Sequence, residues 1–252
     1  MGSIGENIIY FEEVDSTNDV AKRLAPKSKE GTVIIAETQT KGRGRGRREW
    51  ISPPGGVWMS VILKPKIDLS CAPVFTLIFG LGVCKVIRSF GLNAKIKWPN
   101  DVIIKGRKIA GVLADLDFYE EVNFVIVGVG IDANVDLEDF PKEFRGNVTS
   151  LKKELGQEIE KQSLIQNIFQ EMNRVYDRFK SGSLSSLLQE WKELSSIIGK
   201  TVEVHTETET IKGDAIDIDK SGALIIKLED GSHKKIIAGE VNGVRDSSGL
   251  YR

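Results

Sequence analysis

The sequence predicts an α+β fold in which a mixed β-sheet is packed with helices and followed by a small C-terminal β-barrel. Three observations lead there. Strand-like and helix-like segments alternate up to about Asn134, helical spacing dominates from there to about residue 194, and from about Gly199 the residues alternate in the period of short strands. The change of character places a domain boundary near Ser195, giving a larger domain over 1–195 and a smaller one over 196–252.

The elements follow in order. "NIIYFEEV" reads as a first strand, and "DSTNDVAKRLA" supplies Asp15, Ser16 or Thr17 as N-cap for a helix. The β-branched run "GTVIIAET" and the apolar run "GVWMSVIL" are strands on either side of a loop, "QTKGRGRGRREW". Apolar residues from Ala72 to Phe90 predict a buried helix despite internal glycines. Pro99 in "KWPND" predicts an extended approach to the next strand. "VIIKGRKIAGVLADLDF" reads as two strands joined at Lys-Gly-Arg-Lys, and "NFVIVGVGIDAN" as a strand ending in a glycine-rich bend. Between Leu164 and Phe179 the apolar positions keep helical spacing, which marks a core stripe. "SGSLSSLLQEW" starts a further short helix. Beyond it, turn signals at Lys-Gly, Lys-Ser-Gly and Asp-Gly divide the alternating tail into short strands.

Composition excludes several classes. With 252 residues, 40% hydrophobic and 28% charged, the chain is an ordinary globular protein, and 35 Lys plus Arg against 36 Asp plus Glu rule out a polycation that coats nucleic acid. The N-terminus lacks a basic start followed by an apolar stretch, so no signal peptide is expected. The longest uncharged stretch, Leu69 to Cys84, is broken by Pro73, Gly80 and Gly82 and is shorter than the roughly 20 apolar residues of a membrane span. Cys71 and Cys84 show no metal-binding spacing, and a buried thiol at Cys84 fits a reducing, cytoplasmic setting. His205 and His233 both fall in the C-terminal strands without metal-ligand company. Chemistry here has to come from lysine, arginine, carboxylates and backbone amides.

Three clusters offer that chemistry. In the loop, Arg43, Arg45, Arg47 and Arg48 provide forked cationic donors, while Gly42, Gly44 and Gly46 let the backbone come close to an anion. Such a loop should repel itself when empty and order around a negative ligand; Trp50 at its end offers a stacking surface. A small anion, RNA phosphates and plain solvation all remain compatible with it. In "KIKWPNDVIIKGRKIAGVLAD" a short turn would bring Lys108 back beside Asp101, and Gly111 marks a close approach. In "VGVGIDANV" the two glycines are weak evidence of nucleotide binding, and a tight bend explains them equally.

Taken together, "DSTN", "QTKGRGRGRREW", "SPPGGVWMS", "KWPND", "RKIAGVLAD", "VGVGIDANV" and "TSL" at 149–151 closely resemble the biotin protein ligases. The resemblance implies a cytoplasmic enzyme that joins biotin to ATP as biotinyl-AMP and passes the biotinyl group to a lysine of a biotin carboxyl carrier protein. Ser16, Thr17, Asn18, Gln39 and Gly111 would contact biotin, with Arg43, Gly44 and Arg45 at its carboxylate. Arg48, Trp50, Asn100, Asp132 and Asn134 would contact ATP. Lys108 would bridge carboxylate and α-phosphate, Asp101 would serve the incoming lysine, and Mg²⁺ would accompany ATP. Gly46 falls one place early, and Asp132 stands where asparagine is usual. Only fourteen residues precede "DSTN", so the helix-turn-helix domain of repressor members, and DNA binding with it, is not expected. A homodimer is expected by analogy. A lipoate-type ligase and an RNA-binding protein are the competing readings.

Overall fold

The computed structural model describes residues 3–46, 48–65, 72–119 and 122–245, which leaves Arg47 and Cys71 outside the described residues. Seven strands build the larger sheet: β1 (Ile8–Val14), β2 (Val33–Gln39), β3 (Val57–Leu63), β4 (Lys95–Lys97), β5 (Asp101–Ile104), β6 (Arg107–Tyr119) and β7 (Val122–Ile131). Their order is β1-β2-β3-β7-β6-β5-β4, with β1 and β2 parallel and the other neighbours antiparallel. The sheet is mixed, as expected.

Side chains alternate across this sheet with the two-residue period of a strand. Val125, Val127, Val129 and Ile131 of β7 enter the main core, where α2 (Ala72–Ser89), α4 (Lys161–Lys180) and α5 (Leu184–Leu194) cover one face. Phe124 and Ile126 point the other way, into a smaller cluster under α1 (Thr17–Leu24) with Val20, Ala21, Ile34 and Ile62. The α4 stripe reads Leu164, Ile168, Phe169, Met172, Val175 and Tyr176, all buried. Phe75 of α2 packs on Phe79, Tyr176 and Phe179, the last with ring centroids 5.0 Å apart. Each such buried aromatic contributes about 1.5–3 kcal/mol.

The bend expected in "VGVGIDANV" is not one. Gly128 and Gly130 are regular members of β7, opposite Ser60 and Trp58 on one side and Leu113 and Gly111 on the other. They continue the face of Phe124 and Ile126 to the N-terminal end of α1, where the sheet has no side chains of its own and Asn18 and Trp50 come down onto it. Pro99 likewise differs from expectation: the Trp98–Pro99 peptide is cis and lies in the turn between β4 and β5, a position that suits a cis prolyl bond better than extended chain.

After α3 (Leu151–Leu155), α4 and α5, the C-terminal strands β8 (Lys200–His205), β9 (Thr210–Ile218), β10 (Leu224–Lys227), β11 (His233–Ile236) and β12 (Glu240–Arg245) form a five-stranded sheet ordered β11-β10-β9-β8-β12. It is the expected small β unit in barrel-like form, although its end strands β11 and β12 share no ladder among the described residues. Trp98 Nε1 donates to Gly222 O at 3.1 Å and Ser196 N to Ile96 O at 2.8 Å, tying this unit to the β4/β5 edge. No helix of the described residues is long and apolar enough to cross a membrane.

Candidate active site

A cavity of about 120 Å³ opens where the glycine floor meets the start of α1, the arginine loop and the β5/β6 hairpin. Ser16 caps α1 with extended backbone, yet its hydroxyl makes no cap bond and is buried without a partner. A buried unpaired hydroxyl costs free energy unless a ligand completes it. Around it the polar groups are fixed. Thr17 N donates to Gln39 Oε1 at 2.8 Å, Gln39 Nε2 donates to Ser52 Oγ at 2.7 Å, and Ser60 Oγ bonds Thr17 Oγ1 at 2.7 Å and Asn18 Oδ1 at 2.6 Å. Sequence reasoning missed Ser60, whose signal was a lone hydroxyl inside the apolar run "VWMSVIL".

The arginine loop is a small hairpin of its own. Gly44 N donates to Arg48 O and Trp50 N to Gly42 O, both at 2.8 Å, and Gly46 sits at the tip with φ 71°, a conformation that favours glycine. The early glycine therefore has a local reason. The expected self-repulsion is met within the chain: Arg43 Nη2 pairs with Asp19 Oδ1 at 2.8 Å, Arg45 donates to the Gly239 carbonyl, and Arg48 pairs with Glu240. Burial lowers the Arg45 pKa from its ordinary value without making the guanidinium neutral. The hydrogen bond from Arg48 holds the Glu240 carboxyl below its usual range. Neither Asp19 nor Glu240 was visible as a loop partner, because Glu240 lies 192 residues from Arg48.

Trp50 lies flat on the floor. A Cβ added at Gly111 would meet its indole at 2.7 Å and one at Gly130 at 2.6 Å, while one at Gly128 would run into the Asn18 amide. The close approach expected at Gly111 is thus made by Trp50. Lys108 Nζ stands 4.6 Å from the centre of the Trp50 ring and 2.6 Å from Asp101 Oδ1, without the alignment of a hydrogen bond. Asn100 lines the same cavity.

Behind Lys108 the "TSL" segment acts as a clamp. Lys108 N donates to Asn147 O and Thr149 N to Lys108 O, both at 2.8 Å, and Leu151 N donates to Asp132 O at 2.9 Å. Glu154 of α3 lies beneath, with its side chain 3% exposed, accepting from Arg107 at 2.5 Å and Thr149 Oγ1 at 2.7 Å. Asp132 is buried below the cavity with Oδ1 unpartnered; burial raises its pKa well above the carboxylate range, and the nearby Lys108 charge only partly opposes that. The structure does not bring Asn134 to the cavity. Its amide is taken up by Ile159, donating to Ile159 O and accepting from Ile159 N, both at 2.9 Å. Neither histidine lines the cavity; His205 stands opposite Glu240 in the β8/β12 ladder, and its ring contacts Glu203 at 2.8 Å.

A mixed sheet with a glycine floor, a cation-rich lid and a lysine paired to an aspartate defines an enzyme site built for anionic substrates. Residues 10–132 match the Biotin/lipoate A/B protein ligase family and residues 197–242 the Biotin protein ligase C terminal domain. The chain belongs to the biotin protein ligase family. It is 35% identical over 242 residues to the bifunctional ligase/repressor BirA of Bacillus spizizenii, covering 94% of this chain and 74% of that one. It is 27% identical to the biotin–[acetyl-CoA-carboxylase] ligase of Paracoccus denitrificans over 84% of this chain and 91% of that one. The biotin protein ligase from Aquifex aeolicus, solved in complex with biotin and ATP, superposes with a TM-score of 0.83 at 29% identity, covering 96% of this chain and 100% of the other. The enzyme is a biotin ligase that uses ATP, and the lipoate-type and RNA-binding readings give way to it.

Proposed function

We propose that this site activates biotin with ATP to biotinyl-AMP and then biotinylates a lysine of a biotin carboxyl carrier domain, with the work divided among the residues as follows. Ser16, Thr17, Asn18 and Gln39 line the biotin end, where the unpaired Ser16 hydroxyl awaits a polar atom. Arg43 and Arg45 hold the carboxylate through their guanidinium groups, with the Gly44 backbone close by. Lys108 neutralises the two anions as the carboxylate oxygen attacks the α-phosphate and pyrophosphate leaves. Arg48 and Trp50 take the phosphate and adenine sides, and Asn100 stands at the nucleotide's edge. Asp101, freed when Lys108 turns to the substrates, accepts the proton of the incoming amine. Asp132 supports Lys108 from beneath instead of touching ATP directly.

The observation that carries this reading is the pairing of Lys108 with Asp101 under an arginine loop. At about 120 Å³ the cavity is smaller than the roughly 300–1,000 Å³ of ligand pockets, so Trp50 has to leave Gly111 and Gly130 to admit adenosine. Among the described residues no three His, Cys, Asp or Glu stand together as a metal cage. Mg²⁺ would enter with ATP, with Asp101 and Glu240 among the carboxylates of the cavity able to hold it, and it would screen phosphate charge. A cytoplasmic protein with a 1–195 catalytic domain and a 196–252 C-terminal domain, working as a homodimer, completes the proposal. Free, buried Cys84 supports the reducing compartment. The test is biotin-dependent exchange of labelled pyrophosphate into ATP, followed by mass analysis of a carrier domain; exchange driven by lipoate and not biotin would overturn it.

A further inference from the structure

A second cleft of about 460 Å³ opens on the other side of the arginine loop. It shares Arg43, Gly44, Arg45, Pro99, Asn100 and Leu113 with the first cavity, so the loop is a partition between them. Its outer wall is Pro73, Gly222, Ile237 and Ala238. We propose that this cleft is the passage through which the acceptor lysine of the carrier domain reaches biotinyl-AMP, with Ile237 and Ala238 forming the rim on which that domain docks. The proposal rests on the ligase reading above and adds the direction from which the third reactant arrives.

Four observations favour that occupant. The first cavity is committed to two anions by Lys108, Arg43, Arg45 and Arg48, and its lid is fastened to Gly239 and Glu240. The second cleft carries the paired Lys22 and Asp115, 3.2 Å apart, and beside them an apolar strip of Pro73, Leu113, Ile237 and Ala238 that suits the four-carbon stem of a lysine. Of the charges that line it, Lys22 is paired with Asp115 and Arg43 with Asp19, while Arg45 donates to a carbonyl and keeps its charge uncompensated there, which disfavours an ammonium and favours the neutral amine that can attack. At its mouth Ile237 is 68% exposed, more than any other large apolar side chain of the described residues. A carrier domain docked over the cleft would cover this side chain, and removing its apolar surface from water would favour the complex. The chemistry closes without another reactant: the neutral ε-amine attacks the acyl carbon, the new C–N amide bond forms, the C–O bond to phosphate breaks, AMP departs, and the amine proton passes to Asp101.

Ile237→Glu and Ala238→Phe, both at exposed positions outside the binding groups, test this in the full chain. Three rates are measured for each: biotin-dependent pyrophosphate exchange, consumption of the adenylate by hydroxylamine, and transfer from preformed biotinyl-AMP to a purified biotin carboxyl carrier domain. Exchange and the hydroxylamine reaction should stay at the parent rate, since small reactants need no docking. Transfer should fall about tenfold or more in kcat/KM, chiefly through KM in Ile237→Glu and through kcat in Ala238→Phe. Transfer at the parent rate in both variants overturns the passage. So does slowed exchange with normal transfer, which would make the cleft a route for pyrophosphate instead. Absence of biotin-dependent exchange in the parent protein would overturn the ligase reading itself, and the passage with it.

Discussion

Lys108 and Asp101 meet at 2.6 Å because β6 carries one residue too many. Asp101 is opposite Gly111, Val102 opposite Ala110 and Ile103 opposite Lys108, so Ile109 is extra. In an uninterrupted strand residues 108 and 111 would face opposite sides; the bulge turns Lys108 onto the face of Gly111, above the cavity floor. A pair with both side chains about a quarter exposed contributes little to stability, and in the proposed mechanism each partner is held ready for a different step.

Lys108→Ala should nearly abolish adenylate formation and leave the fold intact. The backbone of Lys108 is already paired with Asn147 and Thr149, and the role proposed for its side chain is to neutralise charge. Loss of one such transition-state contact costs about 2.7–4 kcal/mol, or about 10²–10³ in rate. Pyrophosphate exchange near the parent rate would remove Lys108 from this role.

Asp101→Asn should spare part of the first half-reaction and slow transfer to the carrier. Supplying preformed biotinyl-AMP isolates that second step. If transfer then runs as fast as in the parent, Asp101 does not receive the amine proton.

On the proposed role of Arg45, Arg45→Gly would remove one charge-assisted hydrogen bond to the biotin carboxylate, worth about 1.5–3 kcal/mol, so calorimetry should show biotin binding weakened about tenfold to a hundredfold. It also unfastens the loop from Gly239. A looser lid should release activated biotin, read as increased labelling of an unrelated protein such as albumin. Parental affinity with no bystander labelling would contradict both effects.

Glu190→Gln tests the packing of α2, α4 and α5. Glu190 accepts from Arg178 of α4 at 2.5 Å and from Lys85 of α2, and the Arg178 hydrogen bond, working against partial burial and helped by Lys85, holds its pKa at about 2 instead of 4.5. A depressed carboxyl pKa stabilises the fold above the unfolded value and loses that contribution as pH falls towards the folded one. With the side chain about a third exposed, the variant should cost about 1–2 kcal/mol at pH 7. The gap to the parent in urea unfolding should narrow between pH 4.5 and about 2. A gap independent of pH would mean that the loss comes from packing alone.

The parts of this architecture that were legible from sequence are those with a local cause. The α4 stripe follows the helical period, the charge of the arginine loop is a matter of composition, and the Lys-Gly-Arg-Lys turn brings Lys108 back towards Asp101. What escaped depends on distant chain. Glu240 reaches Arg48 only because the C-terminal sheet packs against the loop, and Asn134 is drawn away because Ile159 presents both backbone groups to its amide. Gly128 and Gly130 looked like a bend because the sequence does not say what lies on a strand. The bulge at Ile109 left no compositional mark at all.

The glycines at 111, 128 and 130 carry a consequence for how this chain tolerates change. A methyl group at any of them would be acceptable to the strand as backbone, since none has a left-handed φ, but it would displace Trp50 or Asn18. The constraint at these three sites therefore comes from the side chains packed on the sheet, not from the strand itself. Alanine at Gly111 or Gly130 should fill floor that adenosine would need and impair turnover with little change in melting, whereas alanine at Gly128 should also lower the melting temperature, because it pushes the Asn18 amide off its buried bond to Ser60.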